Sequence, residues 1–134
     1  MVVFAKRILM AMIRFHQEGK YMKLVVFNVG SALCVYAEHQ TTRIVFDIGK
    51  GNNFSPVNDF LLPLYEKRGE HRLKNRNNRY GISQLIVSHP HKDHISDIQE
   101  FDKNFYAHLL TTPNSKSPNG NPQNINWRKI TTPD

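Results

Sequence analysis

Apolar residues along the chain fall into short runs separated by turn-forming residues. Leu24-Val25-Val26-Phe27-Asn28-Val29 is nearly continuous, as expected of a strand covered on both faces. Gly30-Ser31 turns the chain, Leu33-Cys34-Val35-Tyr36 makes a second strand, and His39-Gln40-Thr41-Thr42 a polar turn. Arg43-Ile44-Val45-Phe46-Asp47 is a third strand, halted by Ile48-Gly49-Lys50-Gly51. Three strands with tight connections predict an antiparallel meander. Ser55-Pro56 then signals a helix start, with a hydroxyl at the N-cap and proline at the first helical position. Val57, Phe60, Leu61 and Leu64 recur at helical spacing, Pro63 shortens or kinks the helix, and Gly69 ends it.

Ile82–Val87 reads as a fourth strand, His94–Phe101 as a short helix with Ile95, Ile98 and Phe101 on one side, and Phe105–Leu110 as a fifth strand. Strands and helices mixed in this way predict an α/β (α+β) fold with a mostly antiparallel or mixed sheet and flanking helices. From Thr111 onward, prolines at 113, 118, 122 and 133 and asparagines at 114, 119, 121, 124 and 126 leave no period. Three regions are therefore expected: an N-terminal extension over 1–21, a domain over 22–110, and a loop or disordered tail over 111–134. The extension is basic and mixed-apolar, with one amphipathic helix as its expected form, and Met22 is a natural alternative start immediately before the first strand.

Composition narrows the class. The 134 residues suffice for one domain with a modest core, and no apolar run reaches the roughly 18 residues of a membrane span. Lys6-Arg7 followed by Ile8–Ile13 begins like a signal sequence, but the apolar run is short, Arg14 closes it, and no small-residue cleavage site follows. A single cysteine, Cys34, excludes an internal disulfide and fits a reducing, cytoplasmic compartment. The net charge of +7 favours an anionic partner such as nucleic acid or a nucleotide. Part of that charge lies between Glu66 and Arg79, in Lys67, Arg68, Arg72, Lys74, Arg76 and Arg79. Such a stretch reads as a solvated loop, with a phosphate-contacting rim as the functional alternative.

The candidate chemistry is concentrated in Ser88-His89-Pro90-His91-Lys92-Asp93-His94, where three histidines and an aspartate fall within six positions directly after a strand. Imidazole is the commonest protein metal ligand. His89 and His91 are two apart, so in extended chain their rings project to one side and both could bind one ion. Asp93 and His94 lie where the chain turns into a helix, a bend that can aim them at a second ion roughly 3.5–4 Å from the first. Pro90 fixes φ between the first two ligands. His16, His39 and His71 have no ligand spacing, and His108 and Cys34 read as packed side chains.

His89-x-His91-x-Asp93-His94 resembles the H-x-H-x-D-H motif of the metallo-β-lactamase superfamily, and the likeness runs from about Met22 to Leu110. It takes in the opening strand Phe27-Asn28-Val29-Gly30, the Asp47-x-Gly49 turn, and the strand that leads into the motif. Its details are most similar to the branch related to the hydrolase domain of DNA-uptake competence channels. Gly30-Ser31-Ala32-Leu33, however, lacks the second glycine and the acid usual there. The resemblance implies that His89 and His91 ligate a first zinc, that Asp93 and His94 ligate a second, and that Asp93 positions the nucleophilic water. Another divalent metal could take the place of zinc. Asp47 would be a supporting residue near the loop. The superfamily fold is a four-layer αββα sandwich of two halves, and the remaining ligands come from the second half; nothing after Leu110 resembles them. The chain is thus expected to be the N-terminal half: a fragment, a truncated product, or one half completed by another polypeptide or by self-association. Two main functions follow: a metal-dependent hydrolase acting on phosphoester bonds, or a truncated metal-binding remnant or interaction module without turnover. A third is a nucleic-acid-binding protein relying on residues 66–79.

Overall fold

The computed structural model describes residues 2–5, 8–17, 20–73, 78–89 and 91–112, with those before residue 21 described by their backbone alone. The tail over 113–134, Pro90, Lys74 and Arg76 lie outside the described residues. Among the described residues, seven strands lie side by side in chain order: β1 (Val2–Ala5), β2 (Ile8–Gln17), β3 (Lys20–Phe27), β4 (Cys34–His39), β5 (Thr42–Ile48), β6 (Tyr80–Ile86) and β7 (Phe105–Thr111). Neighbours from β1 to β5 are antiparallel, whereas β5–β6 and β6–β7 are parallel. Short turns permit only antiparallel return, and each parallel join needs a longer crossover. The first crossover carries a π-helical turn, Val57–Leu61, running into α1 (Leu62–Lys67); the second carries α2 (Lys92–Ile95) and α3 (Ile98–Asn104). The result is the mixed sheet with flanking helices of an α+β fold.

Strand alternation and register sort the core. Val25, Tyr36, Val45 and Leu85 stand in register across four strands and are fully buried. Phe60, in the π-helical turn, packs edge-on against Phe27 and Tyr36 at ring distances of 4.9 and 5.5 Å, which places that turn over this face. Tyr65 of α1 meets Tyr80 and Phe105, and Phe101 of α3 stacks on Phe105. The opposite face carries Leu24, Val26, Val35, Ile44, Phe46 and Ile86, all partly exposed, with Phe46 at 38%.

Several local expectations meet the structure directly. The meander is β3–β5. Pro63 sits in the first turn of α1, and the π-helical turn before it absorbs the change of pitch. Gly69 closes α1 at φ +64°, and its amide donates to the Glu66 carbonyl at 3.1 Å. The helix expected over 94–101 is instead two, α2 and α3, because Ser96 and Asp97 are drawn to the β5 end. The Asp97 amide donates to the Ile48 carbonyl at 2.8 Å, and the Lys50 amide donates to Ser96 Oγ at 2.8 Å. The helix expected within 1–21 is also not formed. Residues 8–17 are strand, paired with β3 from Met10↔Phe27 to Gln17↔Lys20, so the open edge of β3 captures the preceding chain. Met22 accordingly lies inside β3. No helix among the described residues is long and apolar enough to cross a membrane.

Candidate metal centre

The histidine loop leaves the C-terminal end of β6, beside the C-terminal end of its parallel neighbour β5. Ligand sites of parallel sheets form at such ends. Val87, buried, ties the exit down by donating its amide to the Thr111 carbonyl at 2.8 Å. Asp47, near the end of β5, is 1% exposed and has φ +53°, a left-handed conformation uncommon outside glycine. Its carboxylate accepts the Ser88 amide at 2.7 Å on Oδ1 and the Ser88 hydroxyl at 2.6 Å on Oδ2. His94 Nδ1 lies 2.8 Å from the same Oδ2. A carboxylate there holds the proton on Nδ1 and leaves Nε2 as the free lone pair, the arrangement by which carboxylates orient metal-binding histidines. The supporting role expected of Asp47 therefore has a geometric counterpart.

The expected ligands come together. The His89 ring lies 5.9 Å from that of His91 and 5.3 Å from that of His94. His94 Nε2 is 3.4 Å from Asp93 Oδ2, and the Asp93 side chain is half exposed. His91 caps α2 in extended conformation, as its pairing with His89 on one side requires. No group of three or more His, Cys, Asp or Glu among the described residues is arranged to hold an ion as it stands, so these side chains would have to rotate to hold one. The donor set of three imidazoles and a carboxylate is the kind zinc takes, and the one histidine with a buried carboxylate behind it is already oriented.

The loop is fastened from behind. Asp93 accepts the Leu33 amide on its backbone carbonyl at 3.2 Å, and the Gly49 amide donates to the Leu33 carbonyl at 2.9 Å. A Cβ on Gly49 would collide with the Asp93 carbonyl and come within 2.7 Å of Ala32 Cβ. Glycine is required there by close approach. Deeper in, Asp97 accepts the Ser55 hydroxyl at 2.7 Å and the Val57 amide at 3.0 Å, and burial raises its pKa. Burial, with Asp97 and Asp47 nearby, also pushes the Cys34 thiol up, which keeps it an inert core side chain.

The other histidines stand apart from the loop. His108 lies on β7, exposed, with its Nε2 3.2 Å from the Tyr106 hydroxyl; the packed position expected for it is not found, because its strand face is open. His39 ends β4 and His71 follows α1, both exposed. Arg68 is bound by Glu38 at 2.5 and 3.0 Å, Arg72 lies over Tyr80, and Arg79 binds Asp102 at 2.9 Å, so these three cations of the basic stretch are engaged within the fold.

Sequence reasoning gave Ser88 no role, although it bonds Asp47 and lies 3.2 Å from His94 Nδ1. The available signal was a hydroxyl between a strand end and the first ligand. Lys50 and Lys92 were equally unassigned; they border an open cleft of about 510 Å³ that reaches Asp93. No protein-family model, curated protein or solved structure matches this chain.

Proposed function

We propose that this chain is the N-terminal half of a metallo-β-lactamase-type αββα sandwich and carries the front of a zinc-dependent hydrolase site. His89 and His91 would hold one ion, and Asp93 and His94 a second. The observation that carries this reading is the bond from His94 to buried Asp47 beside the clustered rings of His89 and His91. A buried carboxylate spent on aiming one imidazole has an evident purpose if the free Nε2 is a ligand. When bound, zinc supplies positive charge and lowers the pKa of a coordinated water toward neutrality. Asp93, half exposed beside His94, orients the attacking water and takes its proton. Asp47 and Ser88 hold the His94 ring through the reaction.

The net charge of +7 supports a phosphoester of nucleic acid or nucleotides as substrate. Completion of both metal shells calls for donors from a second half, and the partly exposed apolar sheet face around Phe46 is where such a half, or a second copy, would rest. A reducing, cytoplasmic setting accords with the single buried cysteine. The alternative is a metal-binding remnant without turnover, favoured by the fact that all four donors come from one loop.

Zinc content and hydrolysis of bis(p-nitrophenyl) phosphate by the purified chain separate the two. Two bound ions, with turnover abolished and the first ion lost in His91→Ala, are the expected result. Fewer than one ion overturns the metal reading, and tightly bound zinc without turnover assigns the remnant.

A further inference from the structure

We infer that Lys50 and Lys92 form a phosphate-binding subsite beside the metal loop and are the residues that select an anionic substrate, an inference that rests on the hydrolase reading above. The two lysines come from different segments. Lys50 follows β5, and its amide is pinned to Ser96 Oγ at 2.8 Å; Lys92 opens α2 between the ligands His91 and Asp93. Both side chains are exposed and border one cleft with Ser31, Asn52, Asp93 and Ser96. Its volume, about 510 Å³, suits a nucleotide-sized group. The composition of its wall matters as much as its size: Lys50, Lys92, Ser31, Ser96 and Asn52 line one opening, and each has a side chain that can donate to phosphate oxygens.

Asp93 lies at the same opening, so a phosphate held by the two lysines reaches the group that handles the attacking water. The basic stretch after α1, by contrast, directs Arg68, Arg72 and Arg79 to Glu38, Tyr80 and Asp102. Unlike those arginines, Lys50 and Lys92 face an open cleft. Lysine suits this task as a flexible point charge that neutralises phosphate without fixing its orientation, leaving orientation to the reacting centre.

The test titrates the full-length chain, stripped of metal by chelation, with inorganic phosphate followed by NMR shifts. Lys50→Ala/Lys92→Ala should weaken binding by about tenfold or more, while Lys50→Arg/Lys92→Arg should retain it. Wild-type binding that rises as salt falls supports an electrostatic subsite. Phosphate affinity unaltered in the double alanine variant, or no measurable binding by the wild type, overturns the inference. Zinc content measured on the same proteins keeps the two readings apart. Lysine-dependent phosphate binding without zinc uptake would sink the hydrolase and leave the subsite, whereas zinc uptake with lysine-independent phosphate binding would do the reverse. Thymidine 5′-monophosphate and a single-stranded oligothymidylate then identify the source of the phosphate. Lysine-dependent binding that favours the oligonucleotide supports a polynucleotide substrate, and equal lysine-dependent affinities support a nucleotide.

Discussion

At the scale of single residues, Asp47 connects fold and chemistry. One buried carboxylate caps the Ser88 amide, holds its hydroxyl and fixes the His94 ring, so the loop conformation and the tautomer of His94 share one support. Two substitutions should separate those roles. Asp47→Ala leaves the Ser88 amide without its acceptor and should cost about 1–3 kcal/mol of stability, together with zinc affinity. Asp47→Asn keeps an acceptor for that amide but turns an N–H toward His94 Nδ1. The ring then carries its proton on Nε2 and loses the lone pair a metal needs. Stability should therefore fall less in Asp47→Asn than in Asp47→Ala, while zinc affinity drops roughly 10–100-fold in both. Thermal unfolding and competition with a chromophoric chelator measure the pair; wild-type zinc affinity in Asp47→Asn would remove Asp47 from the metal site. The four residues proposed as ligands stand out in the sequence because they are local, spaced along one strand end. Ser88 and Lys50 were not, since their significance depends on neighbours 41 and 46 residues away.

At the scale of elements, what could be read depended on whether the cause was local. Pro63 and Gly69 act through their own backbones, so an interruption near Pro63 and the stop of α1 could be read from the sequence. The break between α2 and α3, and the strand character of residues 8–17, follow from bonds to Ile48, to Lys50 and to the β3 edge, which no local pattern contains. The elements are also joined by charge. Glu38 on β4 accepts from Tyr36, pairs with Arg43 of β5 at 3.2 Å, and binds Arg68 just past α1. Burial alone would raise the pKa of Glu38, but its bonds to Arg68 and Tyr36 and the charge of Arg43 hold it below the ordinary value. A carboxylate with a lowered native pKa adds stability above its unfolded pKa, roughly 4.3, and loses that contribution as pH falls through the native value. Glu38→Gln should thus destabilise the chain by about 1–2 kcal/mol at pH 7, with the gap to wild type closing in acid. Urea unfolding at a series of pH values tests this, and a gap that stays constant down to pH 3 would contradict it.

At the scale of the whole molecule, the candidate centre exists only when distant parts of the chain are assembled. The loop donors stand after β6 and on α2, their carboxylate support on β5, and the backbone clamp at Asp93 depends on Leu33 and the bare Gly49. An unfolded chain still contains His89, His91, Asp93 and His94 close in sequence, but nothing there fixes the His94 tautomer or closes the loop. Zinc should therefore bind the native state in preference and stabilise it by mass action. At free zinc a hundred times its Kd, the expected gain is about 2.7 kcal/mol, reduced by whatever the unfolded histidines bind. Thermal unfolding in zinc and in excess chelator should show a reversible rise in Tm for the wild type and a smaller one for His91→Ala. Gly49→Ala offers a sharper variant, because it leaves every donor in place while forcing the Asp93 backbone away from Leu33. Its Tm should fall in chelator, and its zinc-dependent gain should shrink as well. If zinc raised its Tm as much as that of the wild type, the four donors alone would suffice and the surrounding fold would contribute nothing to the centre.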